Sequence, residues 1–145
     1  MTGHEPIEWI DSFATGVSEI DDQHRILVNT LNEANAKLAE NLDLDFVEQI
    51  TEDLLSYALY HFETEEGLMQ EYGYHDDRIE AAEQHLLQHR GFSSKVVTVR
   101  DNLRAGIPIS REDLIGFLNN WLIDHILNTD MKLGAHILAR RAAGD

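Results

Sequence analysis

Five histidines and two acidic residues, His24, His61, Glu65, His85, His89, His125 and Asp130, recur at spacings that can bring their side chains to one place. His61 and Glu65 stand four apart, as do His85 and His89, so each pair shares one helix face. His125 and Asp130 are five apart, on neighbouring sectors of one face. Every pair lies on the apolar stripe of its segment, where a polar group costs free energy unless it is satisfied. A lone histidine there is ordinarily a hydrogen-bonded core residue. Five with two acids, converging from four helices, are too costly to bury unpaired, and metal binding accounts for them. Nitrogen-rich ligation with few carboxylates suits iron, manganese, zinc or copper better than calcium or magnesium. Seven ligands exceed what one ion takes, so two ions are expected. If Glu65 and Asp130 both bridge, the histidines divide as three and two. One ion is then full and the other keeps an open position, where a small diatomic ligand would bind.

Four amphipathic helices must carry these residues. Residues 1–17 lack a helical period and read as an N-terminal arm, with Trp9, Ile10 and Phe13 available to pack on the rest. The first helix begins at Ser18, with Ser18 as its cap and Asp21 as a first-turn acid. Its apolar positions Ile20, Leu27, Leu31, Ala34 and Leu38 recur at helical spacing, and 41–45 supplies a turn. A second helix spans 44–72, a break follows at 73–77, and a third helix covers 78–104 with Gly91 inside it. Gly106 and Pro108 close that helix. Ser110 and Asp113 then look like the capping box of a fourth, running towards Arg140. Short loops make neighbours antiparallel. The expected fold is all-α: an up-down-up-down four-helix bundle over 18–145, one domain, with the arm at 1–17. Counting rise along the helices, at ~1.5 Å per residue, brings all seven residues to nearly one level.

Composition narrows the function. Lys+Arg 11 against Asp+Glu 27 gives a formal charge of -16. That balance argues against nucleic-acid binding and against docking on anionic membranes, since both need basic surfaces. With no cysteine, neither a disulfide nor a thiolate metal site can form. The first residues lack the basic start and apolar stretch of a signal peptide, and no apolar run approaches ~20 residues, so a cytoplasmic location is expected.

Particular stretches carry a resemblance. They are Gly16-Val17 followed by Ile20-Asp21-Asp22-Gln23-His24, then His61-Phe62-Glu63-Thr64-Glu65-Glu66 with Met69. His85-xxx-His89-xx-Phe92 and Trp121-Leu122-Ile123-Asp124-His125-Ile126 with Asp130 complete them. Over almost its whole length the chain resembles bacterial hemerythrin-like proteins, of the hemerythrin family, with all seven ligand positions filled. The resemblance implies a non-haem di-iron site, two Fe ions with an oxo or hydroxo bridge, binding O2 reversibly. It implies that His85, His89 and His125 hold the full iron, that His24 and His61 hold the iron with the open position, and that Glu65 and Asp130 bridge. NO, or anions such as azide, would enter at the same open iron. Leu122 matches a family pocket position, and Trp121, Phe62 and Leu27 are further candidates to line or shield the oxygen pocket; plain core packing would explain them equally well. An oxygen-accepting protein is the expected partner.

One departure stands out. Hemerythrins commonly follow the Glu65 helix with a Tyr-Pro turn, whereas here Tyr74 precedes His75 and the stretch to His85 is several residues longer. Extra helix on either side would absorb it. His75 then reads as a surface turn residue, and His4 and His136 as bystanders. The competing function is a di-iron peroxidase or oxidase, or a nitric oxide-handling enzyme. Ferritin-like di-iron enzymes use Glu-xx-His pairs and more carboxylates, and no Glu lies three residues before any histidine here. Few acids and many histidines fit reversible binding better.

Overall fold

The computed structural model describes residues 9–40 and 43–144. A 3-10 turn at Asp11–Phe13 precedes α1 (Ser18–Glu40), α2 (Leu44–Glu71), a single turn α3 (Tyr74–Asp77) and α4 (Ile79–Arg104). Then come α5 (Arg111–Asp124), a π-helical segment His125–Asp130 and α6 (Met131–Ala142). His125, Asp130 and Met131 all keep right-handed helical backbone, so α5, the π segment and α6 form one continuous rod. With α1, α2 and α4 it makes the expected up-down-up-down bundle. The expectation of an uninterrupted α-helix to Arg140 is corrected by the π segment. No helix among the described residues is long and apolar enough to cross a membrane.

The ends of the helices show which local signals operate. Ser110 caps α5 as expected, its hydroxyl accepting from the Asp113 backbone N–H at 3.0 Å. Ser18 does not cap α1; its hydroxyl donates to Glu19 instead. The Asp21 carboxylate takes over, accepting from the Thr15 N–H at 2.8 Å, the Thr15 hydroxyl at 2.8 Å and the Gly16 N–H at 3.1 Å. An acid inside the first turn thus ties down the arm, and the positive charge of the helix N-terminus favours it there. Of the arm residues expected to pack, Phe13 is buried and Trp9 lies partly buried against the main core. Ile10 is 50% exposed, a correction. His4 and the tip of the 41–45 turn, 41–42, lie outside the described residues.

The break at 73–77 is itself mostly helical. Gly73 has φ 65°, a left-handed conformation that suits glycine, and it reverses the chain after α2. The short α3 follows and buries Tyr74 almost completely. His75 is exposed on that turn, as expected of a surface residue.

Two apolar clusters fill the bundle. One runs from Phe13 and Leu27 through Phe62 and Phe92 to Ile126, and the other gathers Val17, Ile20, Leu68, Met69, Tyr72, Tyr74, Ala82, Leu133 and Ile137. Along each helix the change from one cluster to the other falls at the residues singled out above. Ile20 and Leu27 flank His24, while Phe62 and Leu68 flank Glu65. Ala82 and Phe92 bracket His85 and His89, and Ile126 and Leu133 bracket Asp130. The core is therefore two apolar bodies with one polar layer between them.

Candidate metal centre

All seven residues of that layer are buried. His24 comes from α1, His61 and Glu65 from α2, His85 and His89 from α4, and His125 and Asp130 from the two ends of the π segment. The π segment explains the last pair. Five residues fall short of a whole number of α-turns, whereas a π turn closes its hydrogen bonds over i to i+5. Widening the helix there turns His125 and Asp130 to the same centre.

The atoms converge on two points. Nε2 of His85, His89 and His125 lie 3.4, 3.1 and 3.3 Å from Glu65 Oε1, and His61 Nε2 lies 3.3 Å from the same oxygen. Asp130 Oδ1 is 3.2 Å from His85 Nε2 and 3.0 Å from His125 Nε2, while its Oδ2 is 2.6 Å from His24 Nε2. Two sets can each hold an ion: Glu65, His85, His89 and His125, and His24, His61, Glu65 and Asp130. Glu65 belongs to both. Donors bound to one ion at about 2.1 Å and at right angles to each other lie roughly 3 Å apart. The observed spacings have that size.

Hydrogen bonds account for only part of the layer, through Nε2 of His85, His89 and His125 on Glu65 Oε1. His24 Nε2, His61 Nε2, Glu65 Oε2 and both Asp130 oxygens are buried with no hydrogen-bond partner, despite these short separations. The groups approach without pointing at one another, as ligands aimed at a shared third atom do. Orphaned polar atoms in such number would be very costly in a core, and ligation of a cation relieves the cost.

Electrostatics keep the acids ionised. Burial pushes Glu65 up, but the imidazoles of His61, His125 and His85 hold it well below the usual carboxylate range. Burial and Glu65 push Asp130 up, and His125 outweighs them, drawing it to about 2. For His125 burial lowers the pKa, yet Asp130 and Glu65 raise it to about 10. His85 is raised by the same two acids against its burial. A cation entering the layer takes the place of those imidazole protons.

Around the layer runs a set of residues whose orienting role the spacing of the seven did not reveal. His61 Nδ1 is 2.7 Å from Gln23 Oε1, His89 Nδ1 is 2.9 Å from Glu66 Oε2, and His125 Nδ1 is 2.9 Å from Gln88 Oε1. Each acceptor fixes the proton on Nδ1 and leaves Nε2 free to ligate. Thr129 donates to the same Gln88 oxygen at 2.7 Å, and Gln23 donates to Thr64 at 3.0 Å. The acceptors form a relay: Gln23 of α1 orients a histidine of α2, Glu66 of α2 one of α4, and Gln88 of α4 one on the π segment.

The aromatic candidates brace the ligands from the other side. Phe62 stacks on His89 with centroids 3.9 Å apart, and Trp121 on His125 at 4.4 Å. Leu27, Phe62, Trp121 and Leu122 also line one cavity of about 20 Å³, with Leu31, Leu54, Ala58, Phe92 and Leu118. The arrangement offers two donor sets that could each hold an ion, with a small apolar cavity among the rings that brace them. His136 stands apart from it, donating to the Tyr72 carbonyl at 2.8 Å and so joining α6 to the end of α2.

Residues 15–137 match the family described as Hemerythrin HHE cation binding domain. The chain belongs to the hemerythrin family. A bacteriohemerythrin from Pseudomonas aeruginosa (strain LESB58) is 32% identical over 122 residues, spanning 84% of this chain and 75% of the relative. A hemerythrin from Sipunculus nudus is 32% identical over 131 residues, 88% of this chain and 91% of the relative. Among solved structures, a wild-type hemerythrin crystal structure superposes with a TM-score of 0.80 at 25% identity, covering 92% of this chain and 98% of the other. Membership of a cation-binding hemerythrin family agrees with a layer in which His24 Nε2, His61 Nε2, Glu65 Oε2 and both Asp130 oxygens have no hydrogen-bond partner.

Proposed function

We propose that the chain binds dioxygen reversibly at two iron ions held by the seven buried residues. It serves as an oxygen carrier, store or sensor, and is not an enzyme. The observation that carries this is the sharing of Glu65 between two convergent donor sets, with an apolar cavity lined by the Phe62 and Trp121 rings that stack on His89 and His125. His85, His89 and His125 would hold one iron and His24 and His61 the other, and Glu65 and Asp130 would be shared between them. The iron pair, when bound, supplies the two electrons that O2 takes up and returns on release.

The chain's own residues do the rest. Gln23, Glu66 and Gln88 hold protons on Nδ1 of three histidines, so their Nε2 lone pairs face inward. Leu27, Phe62, Trp121 and Leu122 keep the approach dry. A buried water needs two to four polar partners, and an apolar cavity of this kind stays empty of it. At about 20 Å³ the cavity is small. Water and protons are thereby kept from the bound gas. Residues 1–17 act as an arm on a single bundle domain formed by 18–145. The protein works in the cytoplasm, takes O2, with NO and azide as competitors for the open position, and passes oxygen to an accepting protein.

An absorption spectrum through one cycle of anaerobic reduction and re-aeration, with iron assayed, tests the proposal. Two irons per chain and a charge-transfer band that comes with O2 and leaves on deoxygenation are expected. A band that decays at once to a stable oxidised form, with peroxide released or an added reductant turned over, would favour the enzyme. A chain that holds no iron after reconstitution sinks the assignment.

A further inference from the structure

The five imidazoles are not supported alike. His61 and His125 face the neutral amide oxygens of Gln23 and Gln88, at 2.7 and 2.9 Å. Nδ1 of His24 and of His85 has no partner among the described residues. Of the five, His89 is the one whose Nδ1 faces a carboxylate, 2.9 Å from Glu66 Oε2. Its side chain is 3% exposed and that of Glu66 is 45% exposed, so the hydrogen bond crosses from the core to the surface. Phe62, stacked 3.9 Å away, fixes the plane of the ring. A hydrogen bond to an ionised acceptor is roughly twice as strong as one to a neutral acceptor. It draws the Nδ1 proton outward, pushes electron density towards Nε2 and makes the imidazole a stronger donor to a bound metal.

We infer that Glu66 is a positioning residue that strengthens His89 as a donor and makes the three-histidine iron the more readily oxidised of the pair. The inference rests on the di-iron reading above. One-electron loss from an iron raises its positive charge, and a richer donor stabilises the higher charge. Glu66 therefore lowers the reduction potential on one side of the centre and leaves the other side to the neutral support of Gln23. The two irons, already unequal in their number of histidines, then differ in the basicity of those histidines as well.

Three variants and two readouts test this. Glu66→Gln keeps an acceptor near His89 and removes its charge. Glu63→Gln removes the same charge from the same surface cleft, which Glu63, Glu66 and His89 all line. Gln88→Glu places a carboxylate opposite His125 on the same iron. Loss of an outer-shell partner typically costs 10–100-fold in metal affinity. Spectroelectrochemistry of the iron-loaded protein should show E66Q shifted upward by a tenfold change in the oxidised-to-reduced affinity ratio, about 59 mV for one electron. E63Q should match wild type, and Q88E should shift downward. In zinc-loaded protein the Nδ1–H resonance of His89 should lie downfield of those of His61 and His125, and move upfield in E66Q. A potential in E66Q equal to that in E63Q overturns the role of Glu66. So does a shift of Q88E in the same direction as E66Q. A wild-type chain that takes up no iron overturns the di-iron reading and this one together, whereas normal iron uptake with an unchanged E66Q potential overturns only this one.

Discussion

The apolar bodies on the two sides of the ligand layer are packed differently. The body containing Val17, Ile20, Ala82, Leu133 and Ile137 leaves these five side chains with no exposure at all. The Thr15–Val17 end of the arm is pressed onto the same side, so closely that a methyl group on Gly134 would stand 2.7 Å from Thr15 Cβ. The other body is richer in aromatics, including Phe13, Phe62 and Phe92 with Trp121 against them, and it encloses the small cavity. Phe62 and Trp121 stack on His89 and His125 and also line the cavity, so the same rings serve the layer and the gap. One side of the layer is a foundation and the other a chamber. Under the oxygen-binding proposal, that packing would decide the side from which a small molecule reaches the centre.

The comparison can be broken outright by removing the residue that both donor sets share. Glu65→Ala should drop iron content from two per chain to below one, read by metal assay after reconstitution. Retention of two irons would show that the sets do not depend on Glu65. Next in size is truncation in the tight half. Leu133→Ala should cost about 4 kcal/mol in urea unfolding of the metal-free protein, near the upper end for a core leucine that cannot collapse. Leu122→Ala should cost about 2–3 kcal/mol, since its surroundings already tolerate a gap, while admitting water and speeding autoxidation roughly tenfold. Equal costs would erase the distinction between foundation and chamber. Smaller still is Gly134→Ala. One added methyl in the tight half should cost about 1–3 kcal/mol, and its crowding of Thr15 should expose the arm to limited proteolysis.

The broadest effect is on pH. His125 titrates at about 10 in the folded chain against a usual value near 6.5, so its stabilising contribution is full below pH ~6.5 and fades as pH rises through about 10. Asp130, drawn to about 2, contributes above its usual range near pH ~4 and loses its contribution as pH falls through about 2. Metal-free protein should therefore soften from neutral to alkaline pH, while its affinity for a divalent ion rises over the same interval as protons leave the imidazoles. Thermal melts and chelator competition at matched pH values check both slopes. A metal-free melt that stiffens towards pH 10 would contradict the coupling of His125 to Asp130.

The ligand layer was legible in the chain because burying ionisable groups on apolar stripes is costly and therefore informative. The four helices were legible because residues such as Leu27, Leu31, Leu54 and Leu118 repeat at the α-helical period. Other features follow different rules. The π segment does not alter the apolar pattern, and its only trace was the five-residue step from His125 to Asp130. The capping of α1 was misassigned because Ser18 and Asp21 are both good candidates, and only the path of the arm decides between them. The roles of Gln23, Glu66 and Gln88 stayed hidden because polar residues on half-exposed positions look like ordinary surface. Each is adjacent in sequence to a ligand, namely His24, Glu65 and His89. Each serves a ligand on a different helix, and adjacency along the chain does not report that.

That displacement has a consequence for how the bundle is assembled. An acceptor that supported its own sequence neighbour would form with a single isolated helix. The acceptors here form only when two helices meet in register, and sliding one helix by a single turn, about 5.4 Å, would part Gln23 from His61 or Glu66 from His89. Three of the histidines thus have their Nδ1 partners only in correctly paired helices. Under the di-iron proposal, a slipped helix pairing would cost the protein metal as well as packing.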